Sequence, residues 1–265
     1  MKAKVNGIEI NYELHGREGA AWLVLSHSLA CSVRMWDPQI EAFKSRYRIL
    51  NYDMRGHGQS SAPAAPYTLD MLADDVLGLL KHLKIEKAIY CGLSIGGMIG
   101  QTLALRGKGP FERMVVCDTT HTQPAEALKQ WEDRIRVAES KGMAGLLDST
   151  MERWFTEPFR KKNPPELQKI RTLVERTPVA GYVGCGRAIM GLDTTARLKD
   201  IKLPLLAITG EQDGAAPGTR YISENVPGAR FVSIAQAAHI ANVEQPDAFN
   251  RALGEFLSSP ASARA

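Results

Sequence analysis

The chain lacks a run of the roughly 18 apolar residues that a membrane-spanning helix requires, and it holds no internal repeat. Its opening residues, MKAKVNGIEINYELHG, have no apolar core of the kind a secretory signal carries. Cysteine is scarce: Cys31, Cys91, Cys117 and Cys185 are the full set, and none form a C-x-x-C pair. That excludes a disulfide scaffold and points to free thiols in a reducing, cytoplasmic setting. The six histidines show no metal-ligand spacing, so no metal is expected from them. Charge of one sign is also in short supply. Thirty-three basic residues face 29 acidic ones, a net charge of +4 and a pI of about 8.8. The single dense block, Arg160-Lys161-Lys162, reads as a solvated turn, which argues against nucleic acid or a membrane surface as a partner. The sequence leaves the oligomeric state open.

What is present is an ordinary globular composition, 44% hydrophobic and 23% charged over 265 residues. This is enough for one large α/β domain with an elaboration. The chain is organised around residues 87–106, KAIYCGLSIGGMIGQTLALR. Ala88-Ile89-Tyr90-Cys91 reads as a buried strand and Met98–Leu105 as a helix. Between them stands Gly92-Leu93-Ser94-Ile95-Gly96, a G-x-S-x-G in the strand-to-helix context that gives the pattern meaning. A strand turning straight into a helix strains its middle residue and leaves no room for side chains two positions to either side. The serine is then left exposed at a helix N-terminus, where backbone N–H groups favour an anion. The plainer alternative is a glycine-rich turn that binds phosphate.

Around this stretch, strands and helices alternate. Residues 2–15 alternate apolar and polar about Asn6-Gly7, an antiparallel hairpin. Trp22–Leu25 and Tyr47–Tyr52 read as strands, Trp36–Phe43 as a short helix, and Thr68 as the cap of an amphipathic helix reaching Leu83. Met114–Cys117 is a further strand. Residues 121–190 then change character, with helical patterns, proline breaks and no strand-like run. The alternation resumes with strand Leu205–Gly210, helix Thr219–Asn225, strand Arg230–Ile234 and helix Pro246–Leu257, while Ser258–Ala265 reads as a disordered tail. The expectation is a mostly parallel central sheet with helices on both faces, residues 1–120 and 191–265 forming the core and 121–190 a helical cap.

A serine hydroxyl needs an adjacent base, and the base an orienting acid. On a strand–turn–helix scaffold the chain order is serine, acid, histidine. Asp213, just beyond the strand ending at Gly210, and His239, in the loop after Arg230–Ile234, meet that order and sit at C-terminal strand ends. Glu211 is a competing acid nearer the strand. The oxyanion donors expected are the backbone N–H groups of Ile95, after the nucleophile, and Leu29, in the loop after an early strand. His27 and His57 read as braces for their loops.

With these residues placed, the chain resembles the α/β-hydrolase family, and within it the 3-oxoadipate enol-lactonases. The resemblance runs over essentially the whole chain. It rests on SHSLACSVRMWDPQ (26–39), YDMRGHGQSSAP (52–63), GLSIGGMIGQTLAL (92–105), MERWFTEPFR (151–160), GYVGCGRAI (181–189) and AAHIANVEQPDAFNRAL (237–253). Two departures stand near the site: Ala30 where glycine is expected, and a short Gly214–Pro217 segment after the acid. The resemblance implies cofactor-free hydrolysis of a small enol-lactone to an open-chain oxo acid in aromatic-compound catabolism. Ser94 would be the nucleophile, His239 the base and Asp213 the acid. A substrate of that kind carries a free carboxylate, for which Arg134, Arg153 and Arg34 are candidate partners, Arg134 foremost, and Trp154 is the candidate apolar wall. The same machinery would serve a carboxylesterase, another lactonase or a haloperoxidase-like side reaction. A hydrolase-fold receptor that binds without turnover is the rival from another class.

Overall fold

The computed structural model describes residues 1–107 and 109–259. Eight strands, β1 (Lys2–Val5), β2 (Ile8–Gly16), β3 (Trp22–Ser26), β4 (Arg48–Tyr52), β5 (Ala88–Leu93), β6 (Phe111–Cys117), β7 (Leu205–Gly210) and β8 (Arg230–Ile234), form one sheet. Their order is β1-β2-β4-β3-β5-β6-β7-β8. The β1–β2 hairpin closes through Asn6 and Gly7, whose φ angles of 48° and 79° are those of a type I′ turn. From β4 to β8 every neighbouring pair is parallel. All six residues of β5 and of β7 are buried, as continuous apolar runs covered on both faces should be.

Three helices belong to the first half: α1 (Asp37–Phe43), α2 (Leu69–His82) and α3 (Ile95–Leu105). Between β6 and β7 come α4 (Ala125–Lys141), α5 (Leu147–Trp154), α6 (Glu157–Lys162), α7 (Pro165–Arg176) and α8 (Val179–Met190), with no strand in that stretch beyond the isolated bridge Thr122–Asp193. The second half adds α9 (Ala216–Asn225), α10 (Ala241–Glu244) and α11 (Pro246–Ser258). α3 packs on β5, β6 and α2, while α11 packs on α1, β7 and β8. Among the described residues no helix is long and apolar enough to cross a membrane.

Most element boundaries follow from local chemistry. Thr68 Oγ1 accepts the Met71 N–H at 3.1 Å and starts α2. Asp70 in its first turn and Lys81 and His82 in its last complement the helix dipole. Three elements begin earlier than sequence periodicity suggests, α3 among them at Ile95. β6 starts at Phe111, and α9 starts at Ala216 because Pro217 fits a first turn, where its missing N–H has no partner to lose. Of the segment expected to be a tail, Ser258 closes α11, and residues 260–265 lie outside the described residues.

One charge is buried on α2. Asp75 forms a two-pronged pair with Arg55, Nε–Oδ2 2.5 Å and Nη2–Oδ1 2.7 Å, and also accepts the Asn6 amide at 3.1 Å. Both partners are almost fully buried. The pair ties the hairpin, the Asp53–Ser60 turn and α2 together. Removing one member strands the other charge in the interior. Asp75→Ala should therefore lower the unfolding free energy by about 3–5 kcal/mol in urea denaturation; a loss below about 1 kcal/mol would show that Arg55 finds water or another acceptor.

Candidate active site

The turn between β5 and α3 is strained at one residue. Ser94 has φ 57° and ψ −116°, a region that side-chain-bearing residues avoid. Two backbone bonds hold it there. Its N–H donates to Cys117 O at 2.8 Å, and its carbonyl accepts Thr119 Oγ1 at 2.8 Å. The flanking glycines are obligatory: a Cβ on Gly92 would meet Gly96 O at 2.2 Å, and one on Gly96 would meet Ser26 O at 2.3 Å. The result is a serine at the start of α3 whose side chain borders a cleft.

Asp213 and His239 arrive on adjoining loops. The two loops are laced by backbone bonds from Glu211 N–H to Ile234 O and from Gln212 N–H to Ala237 O, each 2.9 Å. His239 Nδ1 lies 3.0 Å and 3.1 Å from the two oxygens of Asp213, which also accepts the Ala215 N–H at 3.1 Å. Burial works to raise the Asp213 pKa, but the charge and N–H of His239 outweigh it and hold the carboxyl below its ordinary range. Glu211, the competing acid, is exposed to solvent. A carboxylate on Nδ1 leaves Nε2 of the same ring free to take a proton.

The loop after β3 forms another border. Leu29 and Ala30 line the cleft with Ser94. Ala30 has φ 55°, which explains why glycine is expected there, and its N–H is committed to His57 Nε2 at 2.9 Å. Among the described residues the N–H groups of Leu29 and Ile95 have no acceptor. His27 and His57 are fully buried braces: His27 Nε2 accepts the Met54 N–H at 3.0 Å, and desolvation lowers the two imidazoles to about 4 and about 3. Both are therefore neutral acceptors at physiological pH.

Helices α4, α5 and α8 supply the remaining wall of a cavity of about 610 Å³. The Trp154 ring sits 6.0 Å, centroid to centroid, from His239. Its carbonyl accepts the Ile240 N–H at 3.2 Å, and Glu244 accepts both the Thr156 N–H at 3.0 Å and the Ala238 N–H at 2.8 Å. The turn after α5 is thus fastened to the histidine loop. Arg134 and Arg153 face the cavity near Tyr182. Arg134 lies over the Trp131 ring at 4.9 Å. Among the described residues neither arginine makes an ion pair. Crowding by protein lowers both, and the charge of Arg134 helps bring Arg153 down to about 10, which still leaves each a cation at neutral pH. Arg34 is elsewhere, paired with Glu13 and Asp37.

Ser94, Leu29, Asp213, His239, Trp154, Arg134 and Arg153 therefore border one cavity, and Arg34 does not. The Ile95 side chain is buried in the core. The sequence reading used GYVGCGRAI for the resemblance but gave Tyr182 no place in the site. It also passed over Asp118, which follows a strand with nothing local to mark it. Among the described residues no group of three or more His, Cys, Asp or Glu is disposed to hold a metal ion.

Comparison with known proteins identifies the family. A family profile described as alpha/beta hydrolase fold matches residues 21–246. A protein of Acinetobacter baylyi named 3-oxoadipate enol-lactonase 2 is 34% identical over 249 residues, 93% of this chain and 92% of that one. The crystal structure of the enol-lactonase from Burkholderia xenovorans LB400 superimposes with a TM-score of 0.94 at 39% identity, covering 98% of this chain and all of that one. A protein of Agrobacterium fabrum with the provisional name carbamate hydrolase RutD is 28% identical over 258 residues, 94% of this chain and 98% of its own.

The hydrogen-bond pattern separates the two acids. With an activated ester as probe, Asp213→Asn should lower kcat by about 10³–10⁴-fold by stabilising the wrong tautomer of His239, while Glu211→Gln should stay within about twofold of wild type, the range of a surface change remote from the site. The reverse order would reassign the acid.

Proposed function

The chain belongs to the α/β-hydrolase fold family, and on that premise we propose that it is a serine hydrolase opening a small, carboxylate-bearing enol-lactone. The observation that carries this reading is one cavity bordered by Ser94 and the bonded His239–Asp213 pair on one side and two unpaired arginines on the other. The enol-lactonase relatives at 34% and 39% identity support it. The four unpaired thiols support a cytoplasmic setting.

In the proposed cycle His239 Nε2 takes the Ser94 proton as Oγ attacks the lactone carbonyl. The oxyanion that forms is met by the N–H groups of Leu29 and Ile95. Collapse breaks the ring C–O bond, and His239 returns the proton to the enol oxygen, which tautomerises to a ketone. Water, deprotonated by the same imidazole, then attacks the acyl-serine and releases a carboxylate. Asp213 holds the ring and stabilises its cationic form. The free carboxylate of the substrate would lie against Arg134, with Arg153 beside it. In a closed pocket that charge must be paired, and a guanidinium fork suits both of its oxygens. Trp154 would supply the apolar wall, and residues 121–190 act as a cap. The carbamate hydrolase relative keeps a second substrate class in view for the same machinery.

Two measurements test this. Ser94→Ala should remove turnover by about 10⁴–10⁶-fold without changing the circular dichroism spectrum; substantial remaining activity would disqualify Ser94 as nucleophile. A screen of enol-lactones, saturated lactones, simple esters and carbamates should favour the enol-lactone acid over its methyl ester. Arg134→Ala should cost the acid about 1.5–3 kcal/mol in kcat/KM, the scale of a hydrogen bond to a charged group, and leave the ester nearly unchanged. A wild-type preference for the neutral ester would favour a carboxylesterase.

A further inference from the structure

Asp118 directly follows β6 and lines the cavity together with Asp213. It is fully buried and has φ 46°. Its N–H donates to Ile208 O at 2.8 Å, and its Oδ1 accepts the Gly210 N–H at 2.7 Å. Both bonds go to β7, the strand whose following loop carries Asp213. Its other oxygen, Oδ2, is buried and, among the described residues, accepts from no donor. Asp118 and Asp213 meet at one peptide: Asp118 Oδ1 takes the Gly210 N–H, the Gly210 carbonyl accepts the Asp213 N–H at 3.1 Å, and both residues border the same cavity. On either side of Asp118, Cys117 O and Thr119 Oγ1 hold the Ser94 backbone. One short segment therefore grips the nucleophile turn with its flanks and meets the acid with its side chain.

Two carboxyls sharing a buried site do not both ionise. The donors decide which one keeps the charge. Asp213 has the His239 ring, a cation when protonated, and the Ala215 N–H, whereas Asp118 has only neutral donors among the described residues, the Gly210 N–H and the nearby Thr209 hydroxyl. The negative charge belongs on Asp213 and the proton on Asp118. A proton on Oδ2 also turns that partnerless atom into a donor with an acceptor beside it.

We propose that Asp118 is a positioning residue of the site, a neutral carboxylic acid whose O–H donates to Asp213 and so fixes the orientation and charge that His239 meets. Burial, then the Asp213 charge, push its pKa well above the usual carboxylate range, and the same bond helps hold Asp213 low. The other groups about it are the Thr209 hydroxyl on β7 and the Cys117 thiol on β6, the latter kept neutral by burial. Drawing charge from Asp213 weakens its stabilisation of the imidazolium. The acid limb of the kcat/KM profile then lies lower than a bare Asp213 would set it. The proposal rests on Ser94, His239 and Asp213 acting as described above.

The test uses the full-length enzyme with an activated ester. Asp118→Ala removes the donor. It should lower kcat on the order of tenfold, the weight of one hydrogen bond to a charged group, with KM little changed and the acid limb moved to higher pH. Asp118→Asn presents an amide N–H in the same place and should recover most of the loss and return the limb. The infrared difference spectrum, wild type minus Asp118→Asn, should show at neutral pH the C=O stretch of a neutral carboxylic acid, shifting in deuterium oxide. No such band, or an asparagine variant as impaired as the alanine one, overturns the proposal. If Asp118→Ala fails to fold, the asparagine profile and the infrared band decide. The band does not depend on the role of Ser94, so active Ser94→Ala enzyme with the band present would sink the serine mechanism alone.

Discussion

The structure depends on one unfavourable conformation, the left-handed backbone of Ser94. A residue held there costs about 1–3 kcal/mol and persists only where its surroundings over-determine it. Here the surroundings are specific. β5 and α3 are buried in the core and cannot shift apart. Gly92 and Gly96 let backbone approach backbone at distances no side chain would survive. The end of β6 takes the serine N–H and returns a hydroxyl to its carbonyl. The strain is held by the sheet, and its consequence is a hydroxyl presented to a cavity at the N-terminus of a helix.

The same economy governs buried charge. Asp75 is neutralised by Arg55 in a two-pronged pair. Asp53 has no ion-pair partner among the described residues but accepts the N–H groups of Val33 and Gln59 and the Asn11 amide, each at 2.8–2.9 Å. Glu244 accepts from both the α5–α6 turn and the histidine loop. Each of these carboxylates is a tie between segments distant in sequence, and each has donors on both oxygens. Asp118 stands apart because one of its oxygens has none among the described residues. That asymmetry, beside an acid that is fully supplied, is what marks it out.

The cavity divides its work between two kinds of scaffold. Parallel strand ends carry Ser94, Asp213 and His239, where loop lengths are short and the sheet sets distances. The helices between β6 and β7 carry Trp131, Arg134, Arg153, Trp154 and Tyr182. They are tied to the strand ends at several points: the Trp154 carbonyl is bonded to Ile240, Thr156 to Glu244, and α8 lays Gly181 directly against Gly56 in the turn after β4.

The glycine–serine turn was legible in the sequence because its cause is local: steric conflict within five residues dictates which of them can carry a side chain. The alternation of strands and helices was legible for a similar reason, since period and run length report burial along one element at a time. Asp213 and His239 stood out because a parallel sheet delivers every strand end to the same rim, whatever the loops contain. The adjacency of Asp118 and Asp213, the buried Arg55–Asp75 pair, and the meeting of Arg134 and Arg153 in one cavity while Arg34 turns to Glu13 were decided by tertiary structure alone. These are meetings of residues 19 to 95 positions apart in the chain, each made by side chains whose local sequence suits a surface equally well. Whether such a side chain is buried, paired or left facing a cavity depends on where another element packs, and no pattern within its own element encodes that.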